Sequence, residues 1–457
     1  IEGAIQMKIQ KQVPLTEGPI LKSLTGLAVP IMISSFLGTL YNITDMAWIG
    51  LLGSKAVAAV GVGGMYVWLS QGLASLARMG GQVHVAQCLG RGDKEQAHRY
   101  AKTAVQLSIL LGLAFAVVSL LFTDPLVAFF KLEGAKTILD AKIYMRITCG
   151  LILFSFLNLT LTGLYTAQGD SKTPFVANFI GLLINLLLDP LLILGVGPFP
   201  RIEVAGAAVA TVSAQFVVMF VMMVGVFRSK KEENVLKGIR LFEPFSKEEL
   251  GNICKIGGPT AIQGMVYCMI SMVLTRMVAA FGAEAIATQR VGGQIESVSW
   301  NTADGFAAAL NAFVGQNYGA KKMDRVQKGY RISFWTVAIW GALIMLAFII
   351  FPGPIAGVFF HEEKAMEIAI SYLIIIGFSE AFMCVELMTI GALSGLGKTK
   401  LCSVISITAT SMRIPLAMVL SRTSLGLDGI WWALTLTSVA KGIIFYLTFR
   451  YQMREKC

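Results

Sequence analysis

The chain has 457 residues, 55% of them hydrophobic and 14% charged, with a mean hydropathy of +0.69 and a formal net charge of +11. So long and apolar a chain is excluded from the single-core soluble class and reads as a polytopic membrane protein. The positive charge does not indicate nucleic-acid binding, because most of the 38 Lys and Arg residues fall on one side of a consistent membrane topology.

Apolar stretches of about 20 residues or more, the length that crosses a bilayer, fall at 20–50, 57–87, 103–123, 144–167, 174–198 and 205–227 in the first half. The second half supplies 254–281, 286–315, 332–352, 367–393, 401–421 and 428–449. The expected fold is therefore all-α and integral to the membrane, with twelve spans, six per half. Placing the N-terminus in the cytoplasm gathers Lys22, Arg91–Lys102, Lys172, Arg228–Lys255, Lys321–Arg331, Lys398, Lys400 and Arg450–Lys456 on the inner side, which is the positive-inside pattern. The expected organisation is a cytoplasmic segment 1–19, an N-lobe 20–228, a cytoplasmic linker 229–250 with a short surface helix, a C-lobe 251–450 and a cytoplasmic tail 451–457. A monomer in the plasma or inner membrane is expected.

Ile1–Pro14 is mixed and polar, unlike an apolar cleavable leader. Seven cysteines lie in or beside apolar spans at no metal-like spacing, and an odd count gives no disulfide framework.

The two halves repeat. Pro30 matches Pro259, Gly53 matches Gly282, Val62-Gly63-Gly64 matches Val291-Gly292-Gly293, and Gln87-Cys88-Leu89-Gly90 matches Gln316-Asn317-Tyr318-Gly319, all at an offset of 229. A second block runs at 228: Asn158 matches Glu386, Gly163 matches Gly391, Gly169 matches Gly397 and Lys172 matches Lys400. Six spans per half give both halves the same orientation, so they are related by a pseudo-two-fold axis along the membrane normal, the mark of a parallel-repeat transporter. At one matched position the polar contents differ, with Asn185 in the first half and Arg413 in the second.

Charged side chains at bilayer depth cost roughly 2.5–3.5 kcal/mol on insertion scales and are normally aimed at a bundle interior or a watery cavity. The first half has few there, Asp45, Arg78 and Asp189. Asp45 lies 15 residues past Pro30 and Asp189 lies 15 past Pro174, so their depths agree. Tyr41 precedes Asp45 by one helical turn, Asn185 precedes Asp189 by one turn, and Asn178 lies seven residues before Asn185, on common helix faces. Two carboxylates close together in a low dielectric are expected to share a proton or a cation, which makes Asp45, Asp189 and Asn185 a candidate Na⁺ or H⁺ site. The competing reading has each acid satisfied locally or by Arg78. In the second half Arg276, Arg290, Glu296, Asp304, Glu380, Glu386, Arg413 and Lys441 balance in sign and are expected to form structural ion pairs. Glu386 is the expected exception, a substrate-binding or proton-carrying carboxylate.

Gly397-Lys398-Thr399 lacks the upstream glycine of a phosphate-binding loop and ends a membrane helix, so neither ATP nor any other cofactor is implied. His84, His98 and His361 are too scattered for an intramembrane enzyme.

The chain resembles the multidrug and toxic compound extrusion (MATE) family from about Lys22 to Arg450. The resemblance rests on Pro30, Tyr41 and Asp45, the Gln87–Gly90 and Gln316–Gly319 pair, Gln168-Gly169-Asp170-Ser171-Lys172-Thr173-Pro174, Asn185 through Asp189-Pro190, and Gly391-Ala392-Leu393-Ser394-Gly395-Leu396-Gly397. It is greatest to the prokaryotic DinF-like branch. That resemblance implies cation coupling by Asp45, Asp189, Asn185, Tyr41 and Asn158, with Thr211 a further match. Asn158, Asn178, Gln263 and Glu386 are expected to line the substrate cavity. The seventh span, Gln263-Gly264-Met265-Val266-Tyr267-Cys268, lacks the acidic residue by which the NorM-like branch helps bind sodium. The family implies export of small lipophilic or cationic compounds, amid membrane lipids, in exchange for H⁺ or Na⁺ by alternating access. A lipid-linked precursor flippase of related two-lobe fold is the alternative.

Overall fold

Every described element is a helix, as lipid demands: with no water available, backbone N–H and C=O groups must pair within their own segment. The computed structural model describes residues 13–454 apart from 133, 196–199, 230–233, 242, 245 and 361. The sequence readings that fall on residues 1–12, His361 and Cys457 lie outside the described residues.

The first half runs α1 (Ile20–Gly50), α2 (Ser54–Arg91), α3 (Lys94–Leu121), α4 (Thr123–Ala128), α5 (Ala135–Gly150), α6 (Leu153–Ala167), α7 (Lys172–Ile193) and α8 (Glu203–Arg228). The second half follows with α9 (Lys247–Ala279), α10 (Ala283–Gly319), α11 (Met323–Ile350), α12 (Pro352–Gly357), α13 (Glu363–Gly377), α14 (Glu380–Gly395), α15 (Thr399–Ser411), α16 (Arg413–Leu420) and α17 (Leu427–Arg454). Among the described residues nine helices, counting α15 and α16 as one, are long and apolar enough to span a membrane. The pairs α5–α6 and α13–α14 add two spans, bent by 43° and 49°. The twelfth is α10, which at 37 residues is long enough to cross but carries Glu284, Arg290, Glu296 and Asp304.

The two bends refine the expected unbroken spans 144–167 and 367–393. Each break follows a glycine, Gly150 or Gly377, where the weak helix propensity lowers the cost of interrupting the ladder. The α1–α2 and α9–α10 turns are likewise built on matching residues: Gly53 and Gly282 adopt φ of 103° and 113°, conformations that side chains disfavour.

The turns after α2 and α10, the linker and the end of α17 share one face, here the linker face. The two halves meet there through contacts that obey the repeat. Gln82 Nε2 donates to Asn311 Oδ1 at 3.1 Å, and these two residues occupy the same position in their halves, so the pseudo-two-fold axis passes between them. Gln87 Nε2 donates to Gly395 O at 2.9 Å, and its counterpart Gln316 Nε2 donates to Ala167 O at 2.7 Å. Gly90 packs on the Gln316 carbonyl and Gly319 on that of Gln87, approaches so close that a Cβ would collide. The cross-half hydrogen bond farthest from this face among the described residues is Asn301 Nδ2 to Thr39 Oγ1, 3.0 Å, near the middle of α1. Among the described residues, the hydrogen bonds between the halves therefore run from the linker side to about mid-span.

Residues 13–19 lie across the same junction. Val13 N donates to Gly169 O at 3.1 Å, while Asn317, Lys322 and Arg325 donate to the carbonyls of Leu15, Thr16 and Gly18, each at 3.0 Å. Leu15, 1% exposed, packs into the core of the second half. The linker docks on α3: Gln106 Nε2 reaches the Leu241 and Glu243 carbonyls at 2.8 and 2.7 Å, and Lys102 Nζ meets Glu243 Oε2 at 2.8 Å. That ammonium holds the Glu243 carboxyl below the usual glutamate range. In place of the expected short surface helix, the described linker residues form a turn at 235–238, and Lys247 already belongs to α9. Donation from the α3 side chain of Gln106 to linker carbonyls substitutes for helical pairing in this segment.

Candidate functional site

The far half of the first lobe holds a polar pocket inside an apolar bundle. Helix α1 contributes Tyr41 and Asp45, one turn apart, and α7 contributes Asn185 and Asp189, also one turn apart. Helix α8 brings Thr211 against them: Tyr41 Oη donates to Thr211 Oγ1 at 2.9 Å. Asn185 Nδ2 donates to Asp189 Oδ1 at 3.3 Å. Asp45, Asn185 and Asp189 are 8%, 1% and 0% exposed, and the Asp45 charge acts directly on Asp189, Tyr41 and Tyr144.

Neither carboxylate is satisfied. Asp45 Oδ1 and Asp189 Oδ2 are buried without a hydrogen-bond partner, and among the described residues no Lys, Arg or His lies within 4 Å of either acid. Arg78 is not their counter-charge, since its field falls on Asp304 of α10 instead. An orphaned buried acceptor costs about 1–3 kcal/mol, and more when charged, so the two acids are the least satisfied groups of the pocket. The available donors are two carboxylates, an amide and two hydroxyls, an all-oxygen set suited to a hard cation or a proton. Among the described residues there is no group of three His, Cys, Asp or Glu side chains that could hold a metal ion.

The other predicted residues stand apart from this cluster. Asn158 Nδ2 donates to the Gln215 carbonyl at 2.9 Å, one turn of α8 toward the linker face from Thr211. Asn178 is half-buried, two turns along α7 from Asn185. Gln263 accepts from Ser403 Oγ at 3.1 Å within the second lobe. Glu386 is closed into an ion pair with Lys441 at 2.7 Å, both side chains 6% exposed. The expectation for the second lobe is thus reversed: Glu386 has the buried partner, while Glu296 and Glu380 have no cation within 4 Å and take hydroxyl donors, Tyr372 at 3.4 Å and Ser299. Pairing between helices 55 residues apart is not visible in a linear sequence. Tyr144 of α5, packed on Gly63, was missed, although its counterpart Tyr372 packs on Gly292 at nearly the same offset.

Superposing the repeat on the pocket shows how far the lobes have diverged. The second-half counterparts of Tyr41, Asp45, Asn185 and Asp189 are Ile270, Leu274, Arg413 and Ala417. Ile270, Leu274 and Ala417 pack together in one apolar cluster. At these repeat positions the carboxylates belong to the first lobe, and the second lobe's unpaired acids, Glu296 and Glu380, lie elsewhere in its bundle.

The MatE family model matches residues 30–191 and again 259–419, two copies whose starts lie 229 residues apart, as the repeat does. The chain belongs to this family. It is similar to a probable multidrug resistance protein NorM of Thermotoga maritima, 29% identical and covering 96% of this chain and 95% of the relative. A protein named FAD transporter from Shewanella oneidensis is 25% identical over 94% of this chain and 95% of its own length. Among solved structures, a MOP superfamily transporter from Pyrococcus furiosus is 25% identical with a TM-score of 0.87, covering 98% of this chain and 99% of that one. This MATE protein is accordingly a multi-pass membrane transporter with twelve spans in two lobes.

Proposed function

We propose that the chain is a secondary antiporter that exports lipophilic and cationic small molecules in exchange for H⁺ or Na⁺, with Asp45 and Asp189 as the coupling pair. The observation that carries this reading is the pocket itself: two adjacent buried acids, each with an orphaned oxygen and, among the described residues, no basic side chain within 4 Å. Asn185 donates to Asp189, while the Tyr41–Thr211 hydrogen bond ties α1 to α8 beside the acids. Among the described residues, cross-half hydrogen bonds that run from the linker side only to about mid-span suit a state open on the opposite, outer side, with the linker face cytoplasmic as the distribution of Lys and Arg implies. Uptake of the cation from outside would draw α1 and α7 together, and rocking of the lobes would discharge it inside. A single chain contains the complete pocket, in keeping with a monomer. The relatives named for drug resistance and for FAD transport fit small-molecule cargo.

The flippase alternative needs a cluster of bases for a diphosphate; Lys441 is already neutralised by Glu386, which leaves Arg413 as a single guanidinium rather than a basic cavity. In reconstituted vesicles, efflux of a fluorescent lipophilic cation under separately imposed pH and Na⁺ gradients should follow one of the two gradients. An Asp189→Asn variant should lose that response. Normal gradient-driven efflux by this variant would sink the reading.

A further inference from the structure

The Asn185 position of the second lobe carries a guanidinium that structure alone does not use up. Arg413 opens α16 and is 7% exposed. Its Nε donates to Thr437 Oγ1 at 3.0 Å and its Nη2 to Ser438 Oγ at 2.9 Å. Both partners are neutral. Among the described residues no carboxylate lies within 4 Å of Arg413, and Nη1 makes no hydrogen bond. A guanidinium buried without contact to a counter-charge costs several kcal/mol, and this lobe shows that it can pair charges, as Lys441 and Glu386 do at 2.7 Å. The other nearby acids are engaged elsewhere: Glu380 accepts from Ser299, and Glu296, which feels the Arg413 charge from a distance, accepts from Tyr372.

The two hydroxyls do what a recognition site needs: they fix the plane of the guanidinium and leave one edge free. The Arg413 Cζ lies 6.0 Å from the centroid of the Tyr267 ring, and Tyr267 is 43% exposed, so the free charge sits behind an accessible aromatic face. Arg413 is seven residues from the outer end of α16, about 10 Å at 1.5 Å per residue, too deep for a lipid phosphate at the membrane surface.

We propose that Arg413 is a substrate-recognition residue that receives the carboxylate of an amphipathic, zwitterionic compound, with Tyr267 against the compound's ring system. Planar, oriented guanidinium groups bind carboxylates in charge-assisted pairs. The second lobe thereby selects the anionic end of a cargo while the first lobe handles the coupling cation. The proposal rests on the transporter reading, but not on its coupling mechanism.

The test uses two rhodamines that differ in one group: a methyl ester, which is a plain cation, and the free acid, a zwitterion. Equilibrium binding of each to the purified full-length protein in detergent is followed by fluorescence anisotropy, with no ion gradient present. Arg413→Gln should weaken the free acid by about tenfold or more, the loss expected for a charge-assisted hydrogen bond, and the ester by less than about twofold. Arg413→Lys, which keeps the charge without the fork, should fall between and covers the case in which Arg413→Gln fails to fold. Equal loss for both dyes, or no loss for the acid, in a monodisperse variant would overturn the proposal. Asp45→Asn should leave the affinity difference between the dyes intact, so a failure of the coupling scheme would not be mistaken for a failure here.

Discussion

Removing the carboxylate of Glu386 should unsettle the second lobe because it strands a buried cation. Glu386 and Lys441 lie 2.7 Å apart with both side chains 6% exposed, and Arg413 adds a second positive charge acting on Lys441. Breaking a buried pair by deleting one partner costs about 3–5 kcal/mol, whereas replacing both partners is often nearly neutral. Glu386→Gln should therefore destabilise strongly, and Glu386→Gln with Lys441→Met should recover most of the loss. At about 2.1 cal/mol/K per residue, 457 residues melting as one unit lose about 1 kcal/mol of stability per degree near the midpoint. The single substitution should then lower the Tm by roughly 3–5 °C. Thermal melting in detergent, read by intrinsic fluorescence or by loss of the monodisperse peak, measures both variants. A Tm unchanged in the single variant would refute the reasoning, as would a double variant no more stable than the single one. Gradient-driven transport abolished in a well-folded double variant would give Glu386 the carrier role instead.

Three further outcomes follow from other parts of the molecule. Gly90→Val and Gly319→Val place side chains where each backbone meets the opposite lobe, and should force the linker face apart, read as increased labelling of a cysteine introduced at Gln82 by a membrane-impermeant reagent from the inner side. Tyr41→Phe removes the hydrogen bond to Thr211, worth about 1 kcal/mol; efflux should keep its dye affinity but need a steeper ion gradient. The Lys102–Glu243 contact ties the linker to α3, and Lys102 holds the Glu243 carboxyl below its ordinary value. Because the folded value is the lower one, this stabilisation is present above the ordinary glutamate range and is lost as pH falls through the depressed value. A spin-label distance between positions 95 and 241 should broaden on acidification below that range, and not between neutral and mildly acidic pH.

The repeat was the most legible feature of the chain because it is written in residues whose backbone or packing needs are local. Gly53 and Gly282 close equivalent turns, and Gly90 and Gly319 make equivalent close approaches. Asp45 and Asp189 could be paired from their depths, since apolar helices leave few places for an acid, and the structure does bring Tyr41, Asp45, Asn185, Asp189 and Thr211 together. What sequence periodicity does not encode is which helix faces which. Lys441 reaches Glu386 across 55 residues, Arg78 faces Asp304 of the other lobe without an ion pair, and Tyr144 enters the acid pocket from a helix whose apolar pattern gives no hint of it. The bends after Gly150 and Gly377 escaped for a related reason: a glycine permits a break, but tertiary packing decides whether one occurs.

The most direct test of the coupling claim separates driven transport from passive exchange in the same vesicles. Wild type, Asp45→Asn and Asp189→Asn would each be assayed for dye movement driven by a pH or Na⁺ gradient, and for dye–dye counterflow with no gradient. If the two acids couple the ion, both variants lose the gradient-driven component and retain counterflow, since the lobes can still rock around their cargo. Gradient-driven transport at the wild-type rate in either variant would contradict the account and place coupling elsewhere in the chain.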